Sequence, residues 1–116
     1  MTRLFYCFLA VCLFSLPAEL LAKGNVITSN YKVNGVCEQC KARIEAAAYV
    51  KGVKYADWNV DSHNLTLKYD STKTSADVIL KSIVKAGHDV GNYTATLEDY
   101  NKLPSCCRYR TAGKMH

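Results

Sequence analysis

Cys37-Glu38-Gln39-Cys40 places two thiols three positions apart, directly after an alternating strand-like run (Ile27, Ser29, Tyr31, Val33) and directly before an alanine-rich helical run. Two thiols closing a strand-to-helix turn suit capture of a soft metal ion or reversible disulfide exchange. At such a turn Cys37 falls on the loop and Cys40 in the first helical turn, where the unpaired amides of the helix start favour thiolate over thiol. Two thiolates at this spacing can converge on Cu(I) in near-linear geometry or supply half of a tetrahedral Zn(II) site. Adjacent Cys106 and Cys107 offer two further sulfurs far along the chain.

The chain has 116 residues and six cysteines. Arg3, an apolar stretch from Leu4 to Leu16, Pro17 and the small Ala22 before Lys23 have the layout of a secretory signal peptide. The apolar block is shorter than the ~20 residues of a spanning helix. Residues 1–22 are therefore expected to be removed and the protein to be periplasmic or otherwise exported; a retained anchor, or lipidation at Cys12, is the competing reading. Cys7 and Cys12 would leave with the leader. Cys37 and Cys40 then belong to a domain of residues 23–97, and Cys106 and Cys107 to an extension of residues 98–116. Four thiols in a small exported domain ordinarily suggest two structural disulfides. Adjacency argues against the simplest pairing, since a bond between Cys106 and Cys107 closes an unusual eight-membered ring. Cross-links between the two pairs, and metal coordination, both remain open.

The formal net charge is +5, but Lys41, Arg43, Lys51, Lys54, Lys68, Lys81 and Lys85 are interleaved with acids and form no basic arm, so no nucleic-acid partner is expected. No serine nucleophile with a base and an orienter, no supported carboxylate pair and no glycine-rich phosphate loop occurs, so the chain is not expected to be an enzyme.

The elements that would position these thiols follow from periodicity. A first strand runs from about Val26 to Val33, Asn34 and Gly35 signal a turn, and Cys40, Ile44, Ala47 and Ala48 recur at helical spacing from about Glu38 to Tyr49. Gly52 leads into a second strand, Val53 to Val60, with Ala56, Trp58 and Val60 on one face. Asp61 to Asn64 read as a tight hairpin before Leu65, Leu67 and Tyr69 of a third strand. Thr74 with Asp77 resembles the start of a helix cap. Ile79, Ile83 and Ala86 form an apolar stripe that Gly87 ends. Tyr93, Ala95 and Leu97 alternate as a fourth strand. The predicted fold is α+β, a ferredoxin-like βαββαβ sandwich with two helices on one face of a four-stranded antiparallel sheet. Tyr100, Leu103 and Tyr109 are the residues able to pin the extension to this domain, and His63 in the hairpin is expected at the surface.

Over about Val26 to Thr96 the chain resembles the heavy-metal-associated domain family, small ferredoxin-like domains found in copper chaperones, periplasmic mercuric-ion-binding proteins and metal-pumping ATPases. The resemblance is carried by Gly35-Val36-Cys37-Glu38-Gln39-Cys40, Val50-Lys51-Gly52-Val53, Tyr69-Asp70 and Ala86-Gly87-His88-Asp89. It implies a carrier that binds a soft cation at Cys37 and Cys40, Cu(I) first with Hg(II) or Zn(II) behind, and releases it by thiolate exchange to a membrane metal transporter or another metal-binding domain. It also implies that the loop holding His88 lies beside the first loop, making His88 a candidate third ligand, with Cys106 and Cys107 as further candidates if the extension folds back. Two departures stand out. Gly35 and Val36 occupy positions where the family commonly has Met-Thr, which removes a core anchor and a hydroxyl from the loop, and His88 stands where many bacterial relatives have Tyr or Phe. The rival classes are a small thiol-disulfide redox protein and a structural or partner-binding domain, the latter with Lys41, Arg43, Lys81 and Lys85 as a positive rim. The protein is expected to be a monomer.

Overall fold

The computed structural model describes residues 25–110, so the expected leader at residues 1–22 and the terminal His116 lie outside the described residues. Three of the alternating runs become strands. β1 (Val26–Lys32), β2 (Val53–Trp58) and β3 (Asn64–Asp70) form one antiparallel sheet in the order β1-β3-β2. In the central strand Leu65 pairs with Tyr31 on one side and Trp58 on the other. Leu65, Leu67 and Tyr69 point to the same buried face, as period two requires. Ile44 and Ala48 of α1 (Glu38–Ala48) and Ile79 and Ile83 of α2 (Ala76–Lys85) share one apolar core with them. The Ser82 hydroxyl ties the two helices by donating to the Ala47 carbonyl at 2.7 Å.

The fourth expected strand does not form, so the fold runs βαββα in place of the expected βαββαβ, with a three-stranded open sheet in place of the four-stranded one. The reason lies in Gly91 and Thr96. Val90 makes an isolated bridge to Val33, where a fourth strand would lie beside β1. The chain then reverses through Gly91, whose φ is +55°, and Val90 and Tyr93 exchange both backbone hydrogen bonds. That tight turn takes Tyr93 away from β1 before pairing can spread. Thr96 ends the run by accepting from the Asp99 amide and capping a short helix, α3 (Leu97–Asn101). Leu97, expected on a buried strand face, is exposed.

Two smaller expectations also change. The cap of α2 is Ser75, whose side chain accepts from the Val78 amide, and not Thr74. Asp77 instead pairs with Lys81 and accepts from the Tyr93 hydroxyl. His63 is buried with φ of 62°, its ring stacked on Trp58 at 5.5 Å, because the hairpin turn folds it back under the sheet edge instead of out to solvent.

After α3 the chain makes a 3-10 turn, Ser105–Cys107, and Tyr100, Leu103, Cys107 and Tyr109 all join the core. The extension is thus packed against the domain through the residues its sequence singled out.

Candidate metal centre

Cys37 is the residue that begins α1. Its backbone is extended, with φ of −142°, and its carbonyl accepts the first helical bond, from Lys41. No side chain caps this helix start, so its amides remain to act on the sulfur. Burial works against ionisation of Cys37, but hydrogen bonds from the Cys40 and Gln39 amides and from the Cys40 and Cys107 thiols outweigh it and bring the thiol below its ordinary pKa. One turn on, Cys40 is fully buried and its sulfur accepts from the Val36 amide at 3.4 Å. The two sulfurs lie 3.7 Å apart as free thiols.

The loop between β1 and α1 is held by packing that replaces the missing methionine. A side-chain carbon added at Gly35 would lie 3.0 Å from two atoms of the Trp58 indole and 3.1 Å from the β-carbon of Cys40. Trp58 is wholly buried, and its indole N–H donates to the Val33 carbonyl at 3.0 Å. The indole therefore occupies the space beneath the loop, and the glycine is what lets it do so.

The extension adds a third sulfur. Cys37, Cys40 and Cys107 hold their sulfur atoms within 4.8 Å of one another. Three sulfurs each about 2.3 Å from one ion in a plane would be about 4.0 Å apart, so the set needs little adjustment to close on a metal. Cys107 is fully buried. That burial, followed by its hydrogen bond with Cys40, raises its pKa and keeps it a thiol until an ion arrives. Cys106 lies outside this group of three. It is exposed, its thiol donates to the Gln39 side-chain oxygen at 2.7 Å, and its sulfur is 4.0 Å from that of Cys107.

His88 lies outside the three-sulfur group. It is buried, with Nδ1 2.7 Å from the Asn34 carbonyl. A carbonyl only accepts, so Nδ1 carries the proton. Burial lowers the pKa, and nearby Arg43 adds to this against the opposing Asn34 hydrogen bond, so the ring is held neutral. Its face stacks on Tyr109 at 5.8 Å. The imidazole thus ties the loop after α2 to the loop before Cys37. Lys41, expected on a positive rim, is drawn inward to Asp57 and Glu45 at 2.8 and 2.7 Å, and Lys81 is paired with Asp77.

Two contributors escaped the sequence reading. Gln39, an unremarked residue between the cysteines, positions Cys106, and Trp58 sets the floor of the loop. Only the pairing of a glycine before Cys37 with a lone tryptophan in the second strand hinted at the latter.

The comparisons with known proteins agree with this geometry. The heavy-metal-associated domain model matches residues 30–89. A copper chaperone, CopZ, from Staphylococcus epidermidis is 33% identical over 61 residues, covering 51% of this chain and 90% of the relative. Among solved structures, oxidised MerP from Ralstonia metallidurans CH34 superposes with a TM-score of 0.55 at 25% identity, covering 58% of this chain and 96% of that one. The amino-terminal domain of the zinc(II) ATPase ZiaA, in its apo form, gives 0.51 at 30% identity, with 58% and 97% covered. These relatives do not single out the mercuric-ion-binding proteins. They also overturn the expected periplasmic, exported location, because the CopZ chaperone and the ATPase amino-terminal domains are cytoplasmic. With more than half of its residues matched by the family model, the chain belongs to the heavy-metal-associated domain family and is a metal-binding domain, not an enzyme.

Proposed function

We propose that this protein is a soft-metal carrier that binds one Cu(I) ion through the Cys37 and Cys40 thiolates, with Cys107 as third ligand, and passes it on by thiolate exchange. The observation that carries the reading is the convergence of these three sulfurs within 4.8 Å. All-sulfur coordination favours Cu(I), Zn(II) or Hg(II) over harder ions. The convergent group holds three sulfurs, with Cys106 outside it, and a three-sulfur resting site favours the first, since structural Zn(II) sites are almost always four-coordinate. The named relatives support a carrier role: one is a copper chaperone, and another is the amino-terminal domain of a zinc(II) ATPase. The acceptor is then the metal-binding domain of a membrane metal transporter, bearing thiols of its own. His88 serves as a positioning residue for the Asn34 loop and not as a ligand.

Sulfur counting by X-ray absorption on the Cu(I)-loaded protein tests the ligand set. Three sulfurs are expected in the wild type and two in Cys107→Ser. A count of two in the wild type removes Cys107 from the site.

A further inference from the structure

We infer that Cys106 is a transfer thiol, an exposed sulfur through which the ion enters and leaves the buried group formed by Cys37, Cys40 and Cys107. This rests on the carrier reading above and adds a route to it.

The four sulfurs form a graded series from solvent to core. Cys106 is exposed, Cys37 is half-buried, and Cys40 and Cys107 are completely covered. An ion held only by the inner three is poorly accessible to the thiolates of an acceptor. Cys106 bridges that gap. Its sulfur is 4.0 Å from that of Cys107, inside the ~4.6 Å that a single ion spans between two sulfurs at about 2.3 Å each.

Its position is held from two sides. The Cys106 thiol donates to Gln39 Oε1 at 2.7 Å, and its own carbonyl accepts from the Cys37 thiol at 3.7 Å. Both partners belong to the Cys37–Cys40 turn at the start of α1, 67 and 69 residues away in sequence. The flanking chain is anchored by buried Leu103 and Tyr109, so the exposed sulfur is presented at the site instead of trailing from a loose end.

Release proceeds by ligand exchange without any change of oxidation state. Cys106 gives up its proton and bonds the ion. The Cys37–ion bond breaks, and the Cys37 sulfur takes up one proton. The ion then sits on Cys106, Cys107 and Cys40, within reach of the acceptor's thiolates; as these bond the ion in turn, its bonds to Cys40, Cys107 and last Cys106 break, and each freed sulfur takes up one proton. Loading follows the reverse order. Gln39, which accepts from the Cys106 thiol, keeps that sulfur over the loop before exchange.

The test is stopped-flow transfer of Cu(I) from the reduced, full-length protein to bicinchoninate, comparing wild type, Cys106→Ser and Gln39→Ala. Cys106→Ser is expected to keep one-to-one binding with an affinity within about threefold, while transfer slows roughly tenfold. Gln39→Ala is expected to fall between the two. Equal rates in wild type and Cys106→Ser overturn the transfer role. So does a loss of affinity in proportion to the rate, which makes Cys106 a resting ligand. A wild-type chain that takes up no Cu(I) overturns the carrier reading itself, an outcome distinct from equal rates with binding intact.

Discussion

At the scale of single residues, Gly35 and His88 carry out work that the family resemblance assigns elsewhere. The indole of Trp58 fills the space that a side chain at Gly35 would need, so Gly35→Met, which restores the family's usual residue, should destabilise the protein by about 1–3 kcal/mol through overpacking. Urea denaturation reads this directly, and an unchanged midpoint would show that the loop can accommodate the larger residue. His88 yields a pH prediction. Its folded pKa is lowered from 6.5, first by burial, so the unfolded chain binds a proton that the folded chain resists. Stability is present above about pH 6.5 and is lost as pH falls from there through the folded value. Thermal melts between pH 7 and pH 5 should show this loss in the wild type and a shallower one in His88→Gln. Identical slopes would mean that His88 contributes nothing to acid sensitivity. A histidine beside the site reads from sequence as a ligand or as surface. Burial against Tyr109 depends on the tail's path, and the hydrogen bond to the Asn34 carbonyl on the meeting of two loops 54 residues apart, neither of which a local pattern encodes.

At the scale of elements, the three paired strands and both long helices were legible because each has an unbroken period and a turn signal at its ends. The fourth strand was not. Tyr93, Ala95 and Leu97 alternate correctly, but the positive φ at Gly91 and the cap at Thr96 act within a few residues and outweigh a weak period. The chain is thereby released from the sheet edge and becomes the tail that reaches the metal loop. Its seat is Gly87: with φ of +106°, this residue leaves room for Leu103, which a β-carbon would meet at 2.9 Å. The Tyr109 hydroxyl donates to the Gly87 carbonyl at 2.7 Å and accepts from the Asp89 amide at 2.9 Å. Tyr109→Phe leaves both groups without this partner and should cost about 1–3 kcal/mol; Leu103→Ala should cost about 2–5 kcal/mol. Denaturant titrations in which neither variant is destabilised would show that the tail is not docked in solution. Burial pushes the Tyr109 pKa up to about 12 from 10.0. Its contribution is therefore complete below pH 10 and fades as pH rises toward 12.

At the scale of the whole molecule, an open three-stranded sheet under two helices presents one loop at its edge, and the carboxyl-terminal tail folds across that loop with a third sulfur. The first two sulfurs were legible from their spacing and from the strand and helix around them. The third was visible only as a candidate, since a contact between Cys40 and Cys107 spans most of the domain and depends on the tail's docking. Because each thiol must lose its proton to bind an ion, affinity should weaken as pH falls, even with the Cys37 thiol held below its ordinary pKa. The central claim is best tested by anaerobic titration of the reduced full chain with Cu(I), Zn(II) and Hg(II) under chelator competition, with stoichiometry read by native mass spectrometry. Tight one-to-one binding of Cu(I) that disappears when Cys37 and Cys40 are both replaced by serine is the predicted result. Unchanged stoichiometry and affinity in that double variant would contradict it.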